Sequence, residues 1–205
     1  MHNPTDLPSG LPRPVADGAA DHLPGAALPA IALPATTGGA MRVDVVPDGF
    51  ERLVIYAYPM TGVPGVAPVA GWDDIPGARG CTPEACGFRD HAAELATAGT
   101  AVVGVSTQST EYQREAAERL GLPFPLLSDA RLQFATALDL PTFTADLEPE
   151  HDGGGHRALL VRLTLVVRAG RVEHVFYPVF PPDRHAEDVL AWVLAYDPAG
   201  PDGAN

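Results

Sequence analysis

The segment Arg52–Tyr58 (RLVIYAY) is a continuous β-favouring run that lacks the polar alternation of a strand facing water on one side. Such a run is typical of a strand covered on both faces. A second run of this kind, Thr100–Ser106, follows after a segment with helical periodicity. Buried strands that are separated by helices predict a layered α/β chain.

Helix and strand signals in the rest of the chain continue this alternation. Ser109 or Thr110 begins a helix that Gly121 ends, because hydroxyl side chains cap helix starts and glycine tolerates the geometry of helix ends. Thr82 and Pro83 are expected to begin an earlier helix, as its cap and in its first turn. We therefore predict a thioredoxin-like fold, with a mixed central sheet flanked by helices on both faces. The other predicted elements are the strands Met41–Val46 and Phe124–Asp129, the helix Ala130–Leu138, a hairpin over Val161–Val179 and the helix Asp183–Tyr196.

Proline and glycine separate a folded domain from less regular segments. We expect residues 1–25 to form a flexible N-terminal arm and residues 26–197 to form the domain. Residues 198–205 are expected to be a disordered tail. Within the domain, residues 61–80 hold eight glycines and prolines and predict a long inserted loop.

The charge balance argues against some functions. The chain has 13 Lys and Arg residues against 26 Asp and Glu residues, a net charge of −13. Such acidity disfavours binding to nucleic acid or to an anionic membrane. The N-terminal segment has no signal-peptide pattern, and prolines interrupt its apolar run. We therefore expect a soluble cytoplasmic protein, in which closely spaced cysteines favour catalysis or metal binding over a structural disulfide.

The chain has two cysteines, Cys81 and Cys86, both in the helix predicted after the inserted loop. Cys81 lies at the helix start, where unpaired backbone N–H groups and the helix dipole stabilise a thiolate, so we expect a lowered thiol pKa. In an ideal helix the two Cα atoms lie roughly 8.7 Å apart. A disulfide needs about 7 Å or less. The two cysteines can therefore bond only if the first helical turn unwinds.

The residues alone leave other interpretations of this pair open. Both thiols could be inert, since buried cysteine packs well. Cys81, Cys86 and His91 could hold zinc, although zinc sites normally use a second pair of ligands. A thioredoxin-type exchanger would need C-x-x-C, which the chain lacks. The other histidines, including His151 in the predicted polar loop tip Asp146–Gly155, are expected to have no special role.

The sequence around the cysteines resembles a known family. Gly80–Asp90 (GCTPEACGFRD) is similar to the hallmark motif of peroxiredoxins of the bacterioferritin comigratory, or Q-type, branch. Arg162–Phe176 (RLTLVVRAGRVEHVF) resembles the arginine-containing strand and hairpin of that branch. Val102–Asp129 resembles its central strand, helix and following strand. The resemblance covers residues 24–195, that is, nearly the whole predicted domain.

This resemblance implies a thiol-dependent peroxidase that uses neither metal nor organic cofactor. Cys81 would be the peroxidatic cysteine, whose thiolate attacks hydrogen peroxide or an organic hydroperoxide and becomes a sulfenic acid. Cys86 would be the resolving cysteine, and thioredoxin or a similar thiol would reduce the intramolecular disulfide. Arg162 would be the active-site arginine, and Glu84 would orient it. The protein would be a monomer or a weak homodimer.

One position departs from the family pattern P-x-x-x-T-x-x-C, in which the threonine hydroxyl binds the peroxide. Ala78 stands three residues before Cys81, where that threonine is expected. Pro59 and Thr61 precede the inserted loop in the segment YPMT and are expected to fill the two roles from the other side of the insertion. The alternative is that Thr61 is an exposed loop threonine. Trp72, within the loop, is expected either to cover the pocket or to pack on the surface.

Two further hypotheses use the same cysteines. The chain could be a thiol–disulfide reductase or a sulfur-transfer redoxin, which would reduce insulin without peroxidase activity. It could also be a non-enzymatic redox sensor, in which disulfide formation reshapes the inserted loop for a partner. A Cys81 thiol pKa near the ordinary value of about 8.5 would indicate the sensor.

Overall fold

The computed structural model describes residues 3–196, so the predicted tail at 198–205 lies outside the described residues. Its centre is a five-stranded sheet in the order β5-β4-β3-β8-β9. The strands are β1 (Ala32–Pro34), β2 (Ala40–Arg42), β3 (Arg52–Ala57), β4 (Thr100–Ser106), β5 (Leu126–Ser128), β6 (Thr142–Leu147), β7 (Gly155–Leu160), β8 (Leu163–Arg168) and β9 (Arg171–Phe176). The helices are α1 (Cys81–Asp90), α2 (Ala92–Thr97), α3 (Thr110–Leu120), α4 (Gln133–Leu138) and α5 (His185–Ala195), with 3-10 turns at Trp72–Asp74 and Pro182–Arg184.

Strand β3 lies in the middle of the sheet and is buried along its whole length, as its apolar run predicts. It pairs in parallel with β4 and antiparallel with β8. Leu53 and Ile55 face a first apolar core, which includes Phe134 of α4. Val54 and Tyr56 face a second core, to which α1, α2 and α5 contribute. The predicted mixed sheet with helices on both faces is therefore confirmed.

The ends of two helices show how local sequence sets their limits. At α3 the Ser109 hydroxyl accepts a backbone N–H of the first turn, and Gly121 ends the helix with a φ of 62°. Helix α1 begins at Cys81, after Gly80 with a φ of 106°. The prediction that Thr82 caps α1 was wrong, because Gly80 takes the non-helical conformation before the first turn. No helix in the described part of the chain is long and apolar enough to cross a membrane.

One hairpin was not predicted from the sequence. Strands β6 and β7 pair antiparallel, and the polar segment Asp146–Gly155 forms their turn together with the adjoining ends of both strands. Half of β6 is exposed, and its sequence TFTADL alternates polar and apolar residues, which is the pattern of a half-buried strand. The signal for this strand is therefore present in the sequence, and the prediction missed it. The predicted strand Met41–Val46 is also corrected: the structure has a shorter strand, β2, that pairs with β1.

The N-terminal arm, residues 3–25, lies against the domain. Leu23 is fully buried in the first core, and the Gly25 N–H donates to a β9 carbonyl at 2.8 Å. Nearer the N-terminus, the Asp6 carbonyl accepts a hydrogen bond from Arg79 Nη2 at 3.2 Å. The arm therefore passes the start of α1. Its flexibility, and the domain boundary after residue 25, stay predictions.

Candidate active site

Cys81 is the first residue of α1 and is 3% exposed. Its Sγ–H donates to the Ala78 carbonyl at 3.6 Å. Arg162 Nη2 donates to the Cys81 sulfur at 3.2 Å, and the Met60 backbone N–H lies near enough to the same sulfur to lower the pKa of the thiol. Groups from three separate parts of the chain thus meet at the Cys81 sulfur.

Arg162 lies between β7 and β8 and is 2% exposed. Its Nη1 donates to Glu84 Oε2 in a buried ion pair. Its Nε and Nη2 donate to the carbonyls of residues 77–79 at 3.2–3.3 Å. A buried guanidinium is stable only with such partners. The guanidinium therefore holds the loop before α1 and brings Cys81, Glu84 and Arg162 into one buried cluster.

One positive charge faces two acidic groups in this cluster. Burial is the largest influence on the Cys81 thiol and raises its pKa, while the Arg162 charge lowers it and the Glu84 charge raises it. The net direction is upward, so the lowered pKa expected from the helix start was wrong for this closed arrangement. Burial also raises the pKa of the Glu84 carboxyl to about 7, against the lowering effect of Arg162. The two acidic groups share one guanidinium, so a negative charge on Glu84 disfavours the Cys81 thiolate.

Cys86 lies one and a half turns further along α1 and is partly exposed. Burial raises the pKa of its thiol, and the Arg89 charge lowers it. Both cysteines are free thiols. Because α1 is intact from Cys81 to Asp90, helix geometry holds the two Cα atoms at roughly 8.7 Å. The structure therefore shows the pair in its reduced form.

Pro59 and Thr61 follow β3 and are buried. The Thr61 backbone N–H and hydroxyl both donate to Gln108 Oε1, at 2.9 and 3.1 Å. Gln108 Nε2 donates back to the Thr61 carbonyl at 3.3 Å. The structure thus uses the Thr61 hydroxyl to fix the end of β3, and it brings the Met60 backbone, rather than this hydroxyl, to the Cys81 sulfur.

A cavity of about 40 Å³ lies beside Cys81. One water needs roughly 10–15 Å³ of such space, so the cavity has room for about three waters, or for the two oxygens of a peroxide. Trp72 is 5% exposed and lines the cavity, as do Pro4, Thr82 and His151. Of the two expected roles of Trp72, the structure therefore favours that of a cover. Sequence patterns missed Pro4 and His151, because only long-range packing brings the arm and the β6–β7 turn here.

The histidine proposed as a zinc ligand lies elsewhere. His91 lies between α1 and α2, and its Nδ1 is 2.6 Å from Oε2 of Glu94 on α2, in an exposed pair. Among residues 3–196, no group of three or more His, Cys, Asp and Glu side chains is placed to hold a metal ion. The geometry gives the zinc interpretation no support.

A histidine that the sequence did not single out lies behind the cluster. His185, at the start of α5, is 2% exposed, and its Nε2 is 2.8 Å from Thr164 Oγ1. The rings of Phe88 and Phe176 pack edge-on against it. Burial, and secondarily the Arg162 charge, lower the pKa of the His185 imidazole to about 3.

We expect His185 to make the fold sensitive to acid. Below its ordinary pKa of 6.5 the unfolded chain takes up a proton here, whereas the folded chain does not until about pH 3, so stability falls as pH falls through this window. Relative to a His185→Gln variant, the wild type should lose about 3 kcal/mol of unfolding free energy between pH 7 and pH 4. Urea unfolding measures this, with the exposed His156→Gln as control. Parallel pH curves for wild type and His185→Gln would contradict the expectation.

Comparison with known proteins finds relatives that match most of the chain. The redoxin family matches residues 23–190. Peroxiredoxin Bcp of Escherichia coli (strain K12) is 31% identical over 144 residues, which cover 70% of this chain and 78% of that protein. Peroxidoxin BcpB from Mycobacterium tuberculosis superposes with a TM-score of 0.64 at 28% identity, covering 85% of this chain and 98% of that one. Xanthomonas campestris peroxiredoxin Q gives a TM-score of 0.60 at 25% identity, covering 82% and 95%.

The matching segment contains both cysteines, Glu84 and Arg162. It also contains the whole five-stranded sheet. The chain therefore belongs to the redoxin family as a peroxiredoxin of the Bcp, or Q, type, and it is a thiol-dependent peroxidase.

Proposed function

We propose that Cys81 is the peroxidatic cysteine, that Cys86 is the resolving cysteine and that Arg162 stabilises the charges of the reaction. The observation that carries this proposal is the 3.2 Å contact between Arg162 Nη2 and Cys81 Sγ beside a cavity of peroxide size. A guanidinium next to the sulfur favours the thiolate, which is the nucleophilic form. The same fixed charge also stabilises an oxygen that becomes negative as the peroxide bond breaks.

Glu84 has two proposed roles, which both act through Arg162. As a carboxylate it orients the guanidinium through the buried ion pair. Because the pKa of Glu84 is about 7, it carries a proton part of the time at neutral pH. Arg162 then has Cys81 as its only acidic partner in the cluster, and the thiolate gains stability. Pro59 and Thr61 are proposed to hold the Met60 N–H against the sulfur.

In the first chemical step the substrate is a hydroperoxide R–O–O–H, in which R is hydrogen or an organic group. The Cys81 thiolate attacks the oxygen that carries hydrogen, so a sulfur–oxygen bond forms and the oxygen–oxygen bond breaks. The electron pair of that bond leaves with R–O⁻, which takes a proton from water. The sulfur is oxidised to a sulfenic acid, and the peroxide is reduced to water or an alcohol.

The second step requires the start of α1 to open. The Cys86 thiolate attacks the sulfenic sulfur, so the disulfide forms and hydroxide leaves as water. Phe88 is fully buried and stacks on Tyr56 with ring centroids 4.5 Å apart, which anchors the later part of α1. At the start of α1, a side chain at Gly80 would overlap the Pro182 ring. We propose that the helix unwinds between Gly80 and Cys86 and leaves this contact.

The reaction needs a peroxide and a thiol reductant. We propose thioredoxin or a similar dithiol protein as the reductant, because an intramolecular disulfide is reduced by thiol–disulfide exchange. We also propose a cytoplasmic location and a monomer or weak homodimer. The acidic net charge of −13 agrees with a protein that stays dispersed in solution.

Intact mass analysis after one equivalent of hydrogen peroxide tests the proposed function. The expected product has lost two hydrogens, and peptide mapping should join Cys81 to Cys86. Consumption of further peroxide should then require thioredoxin and its reductase. A chain that reduces insulin but leaves peroxide unchanged would refute the proposal in favour of a thiol–disulfide reductase.

The Cys86→Ser variant should separate the two steps. Its first turnover should match the wild type, because Cys81 and Arg162 are unchanged. The chain has only two cysteines, so no other thiol of the chain can resolve the sulfenic acid. Trapping with dimedone should therefore label Cys81, and thioredoxin-dependent turnover should fall by roughly 100-fold or more. Wild-type turnover in this variant would contradict the assignment of Cys86.

A further inference from the structure

The turn between β6 and β7, residues 148–154, is fixed against the end of the central sheet. The Asp152 carboxylate accepts hydrogen bonds from the Ser109 backbone N–H at 2.8 Å and from the Ser109 hydroxyl. Arg157 Nη2 donates to the Thr107 carbonyl at 3.1 Å. The turn is therefore tied to the start of α3 by charged groups, and its residues have defined positions.

His151, next to Asp152, is placed by this turn in the wall of the cavity beside Cys81. It is 4% exposed, and its Nε2 lies 3.6 Å from Glu148 Oε2. Its Nδ1 is buried and has no hydrogen-bond partner among the described residues. A buried polar atom without a partner costs about 1–3 kcal/mol, and such atoms in native proteins need an explanation.

The same cavity lacks a polar group at the position where the family pattern has one. Ala78 carries only a methyl group, and the Thr61 hydroxyl is bonded to Gln108. Arg79, another polar residue of the wall, is paired with Asp73 at 3.3 Å. The residues around Cys81 therefore lack the threonine hydroxyl of the family pattern, but the cavity wall contains a histidine whose Nδ1 has no partner among the described residues.

We propose that His151 is a further catalytic residue, whose Nδ1 accepts a hydrogen bond from the O–H group of the bound hydroperoxide. This inference rests on the proposed function of Cys81. The Glu148 carboxylate faces Nε2, so the ring proton is best placed on Nε2 and leaves Nδ1 as the acceptor. The contact orients the oxygen that Cys81 attacks, and it is made to the substrate rather than to the sulfur.

Rate measurements on three His151 variants test this role in the Cys86→Ser background, where Cys81 is the only cysteine. Leucine removes all hydrogen bonding, asparagine keeps a polar atom near the Nδ1 position, and glutamine keeps one near Nε2 only. We expect His151→Leu and His151→Gln to lower the second-order rate constant for hydrogen peroxide about five- to tenfold, the value of one lost hydrogen bond. His151→Asn should stay within about twofold of its parent.

A second reagent separates substrate contact from a general effect on the thiolate. Iodoacetamide alkylates Cys81 without needing the peroxide contact, so its rate should be the same in all three variants and their parent. Equal losses of rate with peroxide and with iodoacetamide would overturn the proposal. An unchanged peroxide rate in His151→Leu would also overturn it, and so would a His151→Asn variant that reacts with peroxide as slowly as His151→Leu. A fourth variant, Thr82→Val, removes the hydroxyl of another residue in the cavity wall. A loss of peroxide rate in this variant alone would overturn the proposal in favour of the Thr82 hydroxyl. A parent chain that peroxide does not oxidise at Cys81 would refute the proposed function itself.

Discussion

Replacement of Cys81 by serine is expected to abolish peroxide reduction, with a fall of at least roughly 10⁴-fold in the rate of peroxide consumption. A serine hydroxyl does not ionise near neutral pH, and Arg162 alone cannot supply a nucleophile. The chain offers no alternative at this cavity, because its other cysteine is held one and a half turns away on α1. Peroxide loss is measured with hydrogen peroxide, thioredoxin, its reductase and NADPH.

The matched control for this variant is Cys86→Ser, which removes a thiol from the same helix. It should react with one equivalent of peroxide at the wild-type rate, whereas Cys81→Ser should not react. Thermal unfolding of both variants checks that the fold is retained. Peroxidase activity in Cys81→Ser at or near the wild-type level would refute Cys81 as the nucleophile.

Replacement of Arg162 by methionine should have the second largest effect. We expect the second-order rate constant for peroxide to fall about 100- to 1,000-fold, because a preorganised charge at the reacting atoms is lost. The variant also leaves Glu84 buried without its partner, which should lower the free energy of unfolding by about 3–5 kcal/mol. Stopped-flow oxidation and urea unfolding measure the two effects.

A double variant, Glu84→Gln with Arg162→Met, separates these two effects. It carries no buried charge at the pair, so much of the lost stability should return, as for other buried ion pairs replaced by neutral groups. The peroxide rate should stay low, because the charge next to the Cys81 sulfur is still missing. Recovery of both stability and rate would show that Arg162 acts only by holding the fold together.

Much of the fold could be predicted from sequence because it depends on local patterns. The apolar run of β3 indicates a central strand, and Ser109 and Gly121 mark the ends of α3. The cysteine motif also points to Glu84, and the separate match at Arg162–Phe176 points to Arg162, both through a family resemblance. These predictions depend only on residues that are neighbours in sequence, or on a motif that is shared with a relative.

The remaining features depend on packing between distant parts of the chain. His151 lies in a polar segment whose sequence predicts an exposed turn, but the β6–β7 hairpin buries this residue beside Cys81. The pKa of Cys81 could not be inferred either, because the helix start suggests a lowering while burial raises it. The extent of burial depends on the whole fold, so it cannot be predicted from residues that are neighbours in sequence.

The N-terminal arm reaches the cavity wall with residues that lie outside the segment matched by the redoxin family. The shared redoxin segment begins at residue 23, but Pro4 belongs to the wall of the cavity. A chain trimmed to the shared segment would keep Cys81, Arg162 and His151 and would lose part of the enclosure around them. The start of the redoxin match and the extent of the proposed peroxide cavity therefore do not coincide, and we expect the arm to influence which peroxides reach Cys81.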